Sequence, residues 1–204
     1  ALPGIIPTGG WGFAWGNGPA WDSVLFRLPY LIWRLRGNIG VIRENADAML
    51  RYLRYILSRR SEDGTVAVGL GDWVPTGKER SDRYDTPLAL TDSIMVMDMA
   101  RKASEMFEAI GRTEDAAFAQ SVFREMREAV RRELLDRDTM MFAGATQTGQ
   151  AMALYYGVTE PDERQAAFDR LLELIEANGG NFDCGFLGLH RLFHVLSDFG
   201  HTEL

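Results

Sequence analysis

With 46% hydrophobic and 25% charged residues over 204 positions, the chain is long enough to bury a continuous core and too apolar for disorder. A net charge of −7 excludes a nucleic-acid partner, because such binding draws most of its affinity from clustered Lys and Arg. There is no apolar run of the roughly 18 residues that a membrane span needs, and one cysteine, Cys184, cannot make an internal disulfide. Ala1 to Ile6 lack a signal-peptide pattern, so the expectation is either a cytoplasmic location, which is favoured, or a targeting segment outside these residues.

The stretch from Pro7 to Asp22 holds Trp11, Trp15 and Trp21 among Gly9, Gly10, Gly12, Gly16 and Gly18. Glycine lets a loop turn tightly and approach a ligand, and an indole offers an apolar face with one N–H donor. Sugars present the matching surfaces, a C–H face and a rim of hydroxyls, so this loop is expected to wall a carbohydrate site. The bland reading, in which the indoles plug the loop against its own helices, stands beside it.

From Asp22 onward apolar residues recur at helical spacing, and no comparable stretch alternates with period two. The first helix is predicted to start at Asp22 as N-cap, to bury Val24, Leu28, Leu31 and Leu35, to bend at Pro29 and to stop at Gly37. A second runs from Val41 to Arg60 with Met49, Leu50, Leu53, Ile56 and Leu57 on one side, and its Arg51, Arg54, Arg59 and Arg60 read as a solvated face. A long connection from Ser61 to Asp85 follows, and connections of such length are usually functional. Thr86-Pro87 restarts the pattern with a cap and a proline at the first helical position, through Leu90, Ile94, Met97 and Phe107 to Gly111. Thr113 is predicted to cap the fourth helix, with Glu114 and Asp115 against its positive end and Phe118, Val122, Met126, Val130 and Leu134 as its stripe. A short helix spans Gln147 to Tyr156, a sixth opens at Pro161 and ends at Asn178-Gly179-Gly180, and the last, Gly185 to Phe199, is apolar enough to be buried on most sides.

Seven helices that pair off, with the first, third and fifth starting about 60 to 65 residues apart, predict an all-α toroid or solenoid of antiparallel hairpins. A compact bundle competes, but does not need the long glycine-tryptophan and acidic connections.

Five segments occur in order: Pro7-Thr8-Gly9-Gly10-Trp11-Gly12 with Pro19-Ala20-Trp21-Asp22, then Gly71-Asp72-Trp73, Thr86-Pro87, Ala145-Thr146-Gln147-Thr148, and Gly185-Phe186-Leu187-Gly188 with Val195-Leu196-Ser197-Asp198. Together they resemble the catalytic (α/α)6 barrel of bacterial α-L-rhamnosidases, the six-hairpin glycosidases that remove terminal rhamnose. Cys184 departs from the pattern, which has a small hydroxyl residue there. The resemblance implies one domain over residues 1–204, the central part of an incomplete toroid. It also implies a rhamnose-containing glycoside as ligand, no cofactor, and hydrolysis with inversion by the full-length enzyme. The family's general acid lies in an Asp-Glu-Arg segment upstream of the region of Pro7, and its general base in a Trp-Glu segment downstream of the region of Leu204. The isolated chain is therefore expected to be inactive, and to self-associate through the open side of the toroid.

What the resemblance leaves within the chain is the sugar-binding wall: Trp21 and Trp73 as stacking aromatics, Asp22 and Asp72 as acceptors for sugar hydroxyls, and one of Trp11 and Trp15 facing the cavity. Asp22 also reads as a plain N-cap and Asp72 as a turn residue. Glu79, Asp82 and Asp85 read as a solvated charge run, and Tyr155 and Tyr156 as rim or packing residues. His190 and His194 have zinc-ligand spacing, yet Arg191 stands where a metalloprotease has Glu, so two core histidines are the expectation. Two other functions compete: a non-catalytic helical carbohydrate-binding or scaffold module, and a six-hairpin hydrolase of unsaturated uronides, for which Lys78, Arg80 and Arg83 would face the sugar carboxylate.

Overall fold

The structure, a computed structural model, describes residue 10, residues 16–78 and residues 85–203. Among these, one helical turn and seven longer helices follow in chain order: α1 (Pro19–Asp22), α2 (Val24–Arg36), α3 (Gly40–Leu57), α4 (Leu88–Ala109), α5 (Thr113–Glu133), α6 (Gln147–Tyr156), α7 (Arg164–Ala177) and α8 (Phe186–Asp198). Between α5 and α6 the two-residue strands β1 (Leu135–Asp136) and β2 (Met141–Phe142) pair antiparallel, with Leu135 opposite Phe142. They are too short for alternation to announce them in the sequence.

The hairpins α2–α3, α4–α5 and α6–α7 pack internally, and α2, α4, α6 and α8 touch in succession. The result is two layers, an inner row of α2, α4, α6 and α8 and an outer row of α3, α5 and α7, as expected for an all-α hairpin array. Because each hairpin reverses the chain, the inner helices run parallel. Helix α4 sits in the middle of the row, and from Leu90 to Ala100 every residue is buried. A helix buried all round tolerates polar residues only when they are held, and Ser93 Oγ accepts from the Val66 amide at 2.9 Å.

Helix boundaries follow local chemistry with small shifts. Thr146 caps α6 through the Gly149 amide, and Gly157, at φ 74°, ends it in the left-handed region. Thr113 is the first residue of α5 rather than its cap, and α4 begins one residue after Pro87, while Thr86 bonds instead to Thr146. Helix α7 starts at Arg164, later than Pro161, because Glu163 turns its carboxylate to the Glu160 amide and to Arg131. That fork, at 2.6 and 2.8 Å, ties α5 to the entry of α7 and holds the Glu163 carboxyl down to about 2.

The first helix corrects the reading of its pattern. Val24, Leu28, Leu31 and Leu35 are exposed, Leu35 to 74%, while Phe26 and Pro29 are buried with Leu25, Tyr30 and Trp33 packed beside them. The sequence carries two apolar stripes, and the one bearing the large rings faces the core. Pro29 lies within the continuous helix, and Asp22 is not the cap of α2 but the last residue of α1. Helix α8 is likewise less buried than expected: Leu187, Leu192, Val195 and Leu196 face inward, and Phe186, Leu189 and Phe193 face out.

Candidate functional site

Two loops cross at the end of the molecule where the inner helices begin. Leu70 N donates to the Asn17 carbonyl at 3.1 Å, and the backbones approach so closely that only glycine fits on either side. A Cβ on Gly69 would lie 2.6 Å from Gly18 Cα, one on Gly18 would lie 2.5 Å from the Val68 carbonyl oxygen, and both residues hold positive φ, 99° and 121°. The crossing fixes Trp21, whose Nε1 donates to the Leu70 carbonyl at 3.2 Å.

Asp72 closes the second half of the site from 113 residues away. Its Oδ2 accepts from the Gly185 amide at 2.8 Å and the Thr148 hydroxyl at 2.5 Å, and its Oδ1 accepts from the Leu187 and Gly188 amides at 2.8 and 3.1 Å. The Trp73 carbonyl takes the remaining amide, Phe186 N, at 3.0 Å. The N-cap residue of α8, Gly185, has no side chain to offer, and a Cβ there would lie 2.5 Å from the Trp73 carbonyl oxygen. The Gly71-Asp72-Trp73 and Gly185-Phe186-Leu187-Gly188 segments are thus one physical unit, a distant carboxylate capping a helix and facing its positive end. Val74 pays for the turn with φ 57°, a strained conformation for a β-branched residue. Cys184 is buried beside this unit, its thiol pushed up to about 12 by desolvation, which makes it a packing residue.

The two units bring three rings together. Trp21 and Trp73 lie with centroids 6.1 Å apart at 81°, Phe186 lies 6.4 Å from Trp21 and 5.7 Å from Trp73, and Phe186 is 57% exposed. Next to Trp21, half-buried Asp22 uses Oδ2 to accept from the Gly18 amide at 3.1 Å and the Tyr52 hydroxyl at 2.8 Å. Burial is the largest influence on its carboxyl and raises the pKa. Behind Tyr52, Asp92 is fully buried on α4, with Oδ2 accepting from the Val68 amide at 2.7 Å and Oδ1 without a partner among the described residues. Desolvation pushes its carboxyl up to about 8, and the negative field of Asp22 adds to this. Tyr52 is held in its phenol form by burial and by the neighbouring Asp22.

The residues singled out in the sequence are therefore sorted. Trp21, Asp22 and Trp73 share one neighbourhood. Asp72 adjoins it, but it is 2% exposed and both oxygens serve α8, so its geometry favours the turn-and-cap role over sugar contact. Trp11, Trp15, Glu79, Arg80, Asp82 and Arg83 lie outside the described residues. Lys78 pairs with Asp85 at 2.5 Å. His190 and His194 are not core residues: both are exposed on α8, 4.7 Å apart, with His194 against Tyr155. Tyr156 takes a packing role, accepting from Arg191 at 2.9 and 2.5 Å. Sequence reasoning missed Tyr52 and Asp92, which carry no motif, and read Phe186 as core because apolar periodicity does not distinguish a buried ring from a presented one. An open concavity of about 440 Å³ lies at the β-hairpin between Glu133 and Ala145 and shares no residue with the aromatic trio.

A row of parallel inner helices backed by an outer row, with loops meeting at the helix starts, makes the chain an array of α-helical hairpins. The family model of the bacterial alpha-L-rhamnosidase 6 hairpin glycosidase domain matches residues 1–204, and the chain belongs to that family. It is 30% identical over 192 residues to the α-L-rhamnosidase of Streptomyces avermitilis, covering 93% of this chain and 18% of that protein. The Streptomyces avermitilis structure, solved in complex with L-rhamnose, superposes with a TM-score of 0.77 at 29% identity over 89% of this chain and 17% of its own. The α-L-rhamnosidase of Dictyoglumus thermophilum gives a TM-score of 0.84 at 20% identity, over 95% of this chain and 22% of its own, which shows the shared fold. The chain spans about a fifth of the length of the curated relatives it matches. Among the described residues no helix is long and apolar enough to cross a membrane.

Proposed function

We propose that this chain is the central part of one α-L-rhamnosidase barrel domain and supplies the wall that holds the terminal rhamnose, while the general acid and base lie in polypeptide outside these 204 residues. The observation that carries this reading is the meeting of Trp21, Trp73 and Asp22, from distant parts of the sequence, at the start of the inner helices. The two indoles give C–H faces of a pyranose an apolar surface. Asp22 has Oδ2 already fixed by Gly18 and Tyr52, so its Oδ1 meets a sugar hydroxyl without a search for orientation. The same reading assigns one of Trp11 and Trp15, which lie outside the described residues, to the wall. In the whole enzyme a protonated acid would assist departure of the aglycone and an ionised base would activate water, about 6.5 to 9.5 Å apart for inversion.

The test has two arms. Hydrolysis of an aryl α-L-rhamnoside is expected to be absent for the chain alone and present for a longer protein that includes it, and Trp73→Ala in the longer protein is expected to lower kcat/KM by about a hundredfold. Turnover by the isolated chain that disappears on mutating one of its own carboxylates would refute the division of labour. Sugar binding without turnover by the longer protein would favour a carbohydrate-binding module instead.

A further inference from the structure

Phe186 has no evident reason to be where it is if the site needed only stacking surface and hydroxyl partners. It is the first residue of α8, more than half exposed, and it carries no polar atom beyond its backbone. Its position is nevertheless fixed. The amide bonds to the Trp73 carbonyl at 3.0 Å, and the next two amides are held by Asp72, so the ring rises from a capped helix start and not from a loose loop. Its ring closes a triangle with two indoles at 5.7 and 6.4 Å, standing nearly perpendicular to Trp21 at 88°. The Trp21 N–H is already donated to the Leu70 carbonyl, so where Trp21 and Phe186 meet, the side chains present ring carbon.

From this we infer that Phe186 is the specificity residue of the site, its ring forming the apolar wall that receives the methyl group of a 6-deoxyhexose and disfavours the hydroxymethyl of the corresponding hexose. The inference rests on the sugar-binding reading above and deepens it. A 6-deoxyhexose differs from its parent by one oxygen, and the two sugars offer identical rings and ring hydroxyls to Trp21, Trp73 and Asp22. Only a surface that meets carbon 6 can separate them. A hydroxymethyl placed against a phenyl edge gives up a hydrogen bond to water and finds no replacement there. An apolar pocket discriminates against an added hydroxyl by up to about a hundredfold, which sets the expected scale.

The test is a fluorescence titration of the chain with L-rhamnose and with L-mannose, which adds only the hydroxyl on carbon 6, using the indoles of the site as reporters. The wild-type chain is expected to bind L-rhamnose at least about tenfold more tightly. Phe186→Ser is expected to bring the ratio close to one, Phe186→Leu to keep most of it, and Trp21→Ala to weaken both sugars by the same factor. Far-ultraviolet circular dichroism of each variant shows that α8 is retained. An unchanged ratio in Phe186→Ser, or an equal loss for both sugars, overturns the role of Phe186 and leaves the sugar site standing. Failure of the wild-type chain to bind either sugar overturns the sugar-binding reading and this inference with it.

Discussion

Asp92 shows at a single residue what the site asks of the core. One oxygen serves the Val68 amide and so holds the loop that leads to Trp73, and the other sits in the interior without a partner among the described residues. A carboxylate there, facing Asp22 from α1, would be a buried charge beside a like charge, so the group keeps its proton until about pH 8. The sign of the linkage follows from that value. Unfolded, Asp92 ionises near 3.8, so between about pH 4 and pH 8 it has lost a proton in the unfolded chain that it retains in the fold, and its contribution to stability falls with rising pH across this window. Asp92→Asn mimics the protonated form and removes the Asp92 share of the pH dependence. In urea denaturation the variant is expected to gain on wild type as pH rises, by at least about 1 kcal/mol at pH 8. A constant difference between pH 4 and pH 8 would show that Asp92 is ionised in the fold. Tyr52 and Asp22 mark the same limit of sequence reading: Asp22 was visible as a candidate from its place beside Trp21, whereas the hydroxyl that orients it comes from 30 residues away and carried no signal.

At the scale of elements, the cap of α8 is the connection on which the site depends. Four amides at the start of that helix find acceptors in Asp72 and Trp73, and this brings Trp73 and Phe186 side by side. Asp72→Asn would turn an amide N–H2 toward at least one backbone N–H and remove a charge from the helix start. The expected loss is about 3 kcal/mol in thermal or chemical unfolding, accompanied by a change in indole fluorescence as Trp73 moves. Asp72→Asn with wild-type stability would show that the amides are satisfied in another way. The helices themselves were legible because helical periodicity, capping residues and glycine stops agree over long stretches: α6 was read to the residue, and α3, α4 and α5 were read to within three at their edges. The contact between Asp72 and α8 was not legible, since a carboxylate in a Gly-Asp-Trp turn looks the same whether it serves a ligand or a helix 113 residues away. The face of α2 was misread for a related reason. Both of its stripes are apolar, and only packing against α3 and α4 decides that Phe26 and Pro29 go inside.

At the scale of the molecule, that misreading has a physical consequence. Val24, Leu28, Leu31 and Leu35 recur along one side of α2, and Leu189 and Phe193 lie on α8, all exposed. These helices stand at the two ends of the inner row, since α2 contacts α4 and α8 contacts α6. Continuous apolar stripes on exposed helix faces associate in water, because each fully buried Leu or Phe gains about 1.5 to 3 kcal/mol. A second copy of the chain can cover such a face, and the net charge of −7 opposes this association at low salt and less so at high salt. Light scattering over a concentration series is expected to show a dimer or larger species that strengthens with added salt. Replacing Leu28 and Leu31 by Lys places two charges in the α2 stripe and is expected to shift the population toward monomer without loss of helicity, since both side chains are already exposed. A wild-type chain that stays monomeric at high concentration and high salt would mean that the exposed stripes do not suffice to drive assembly.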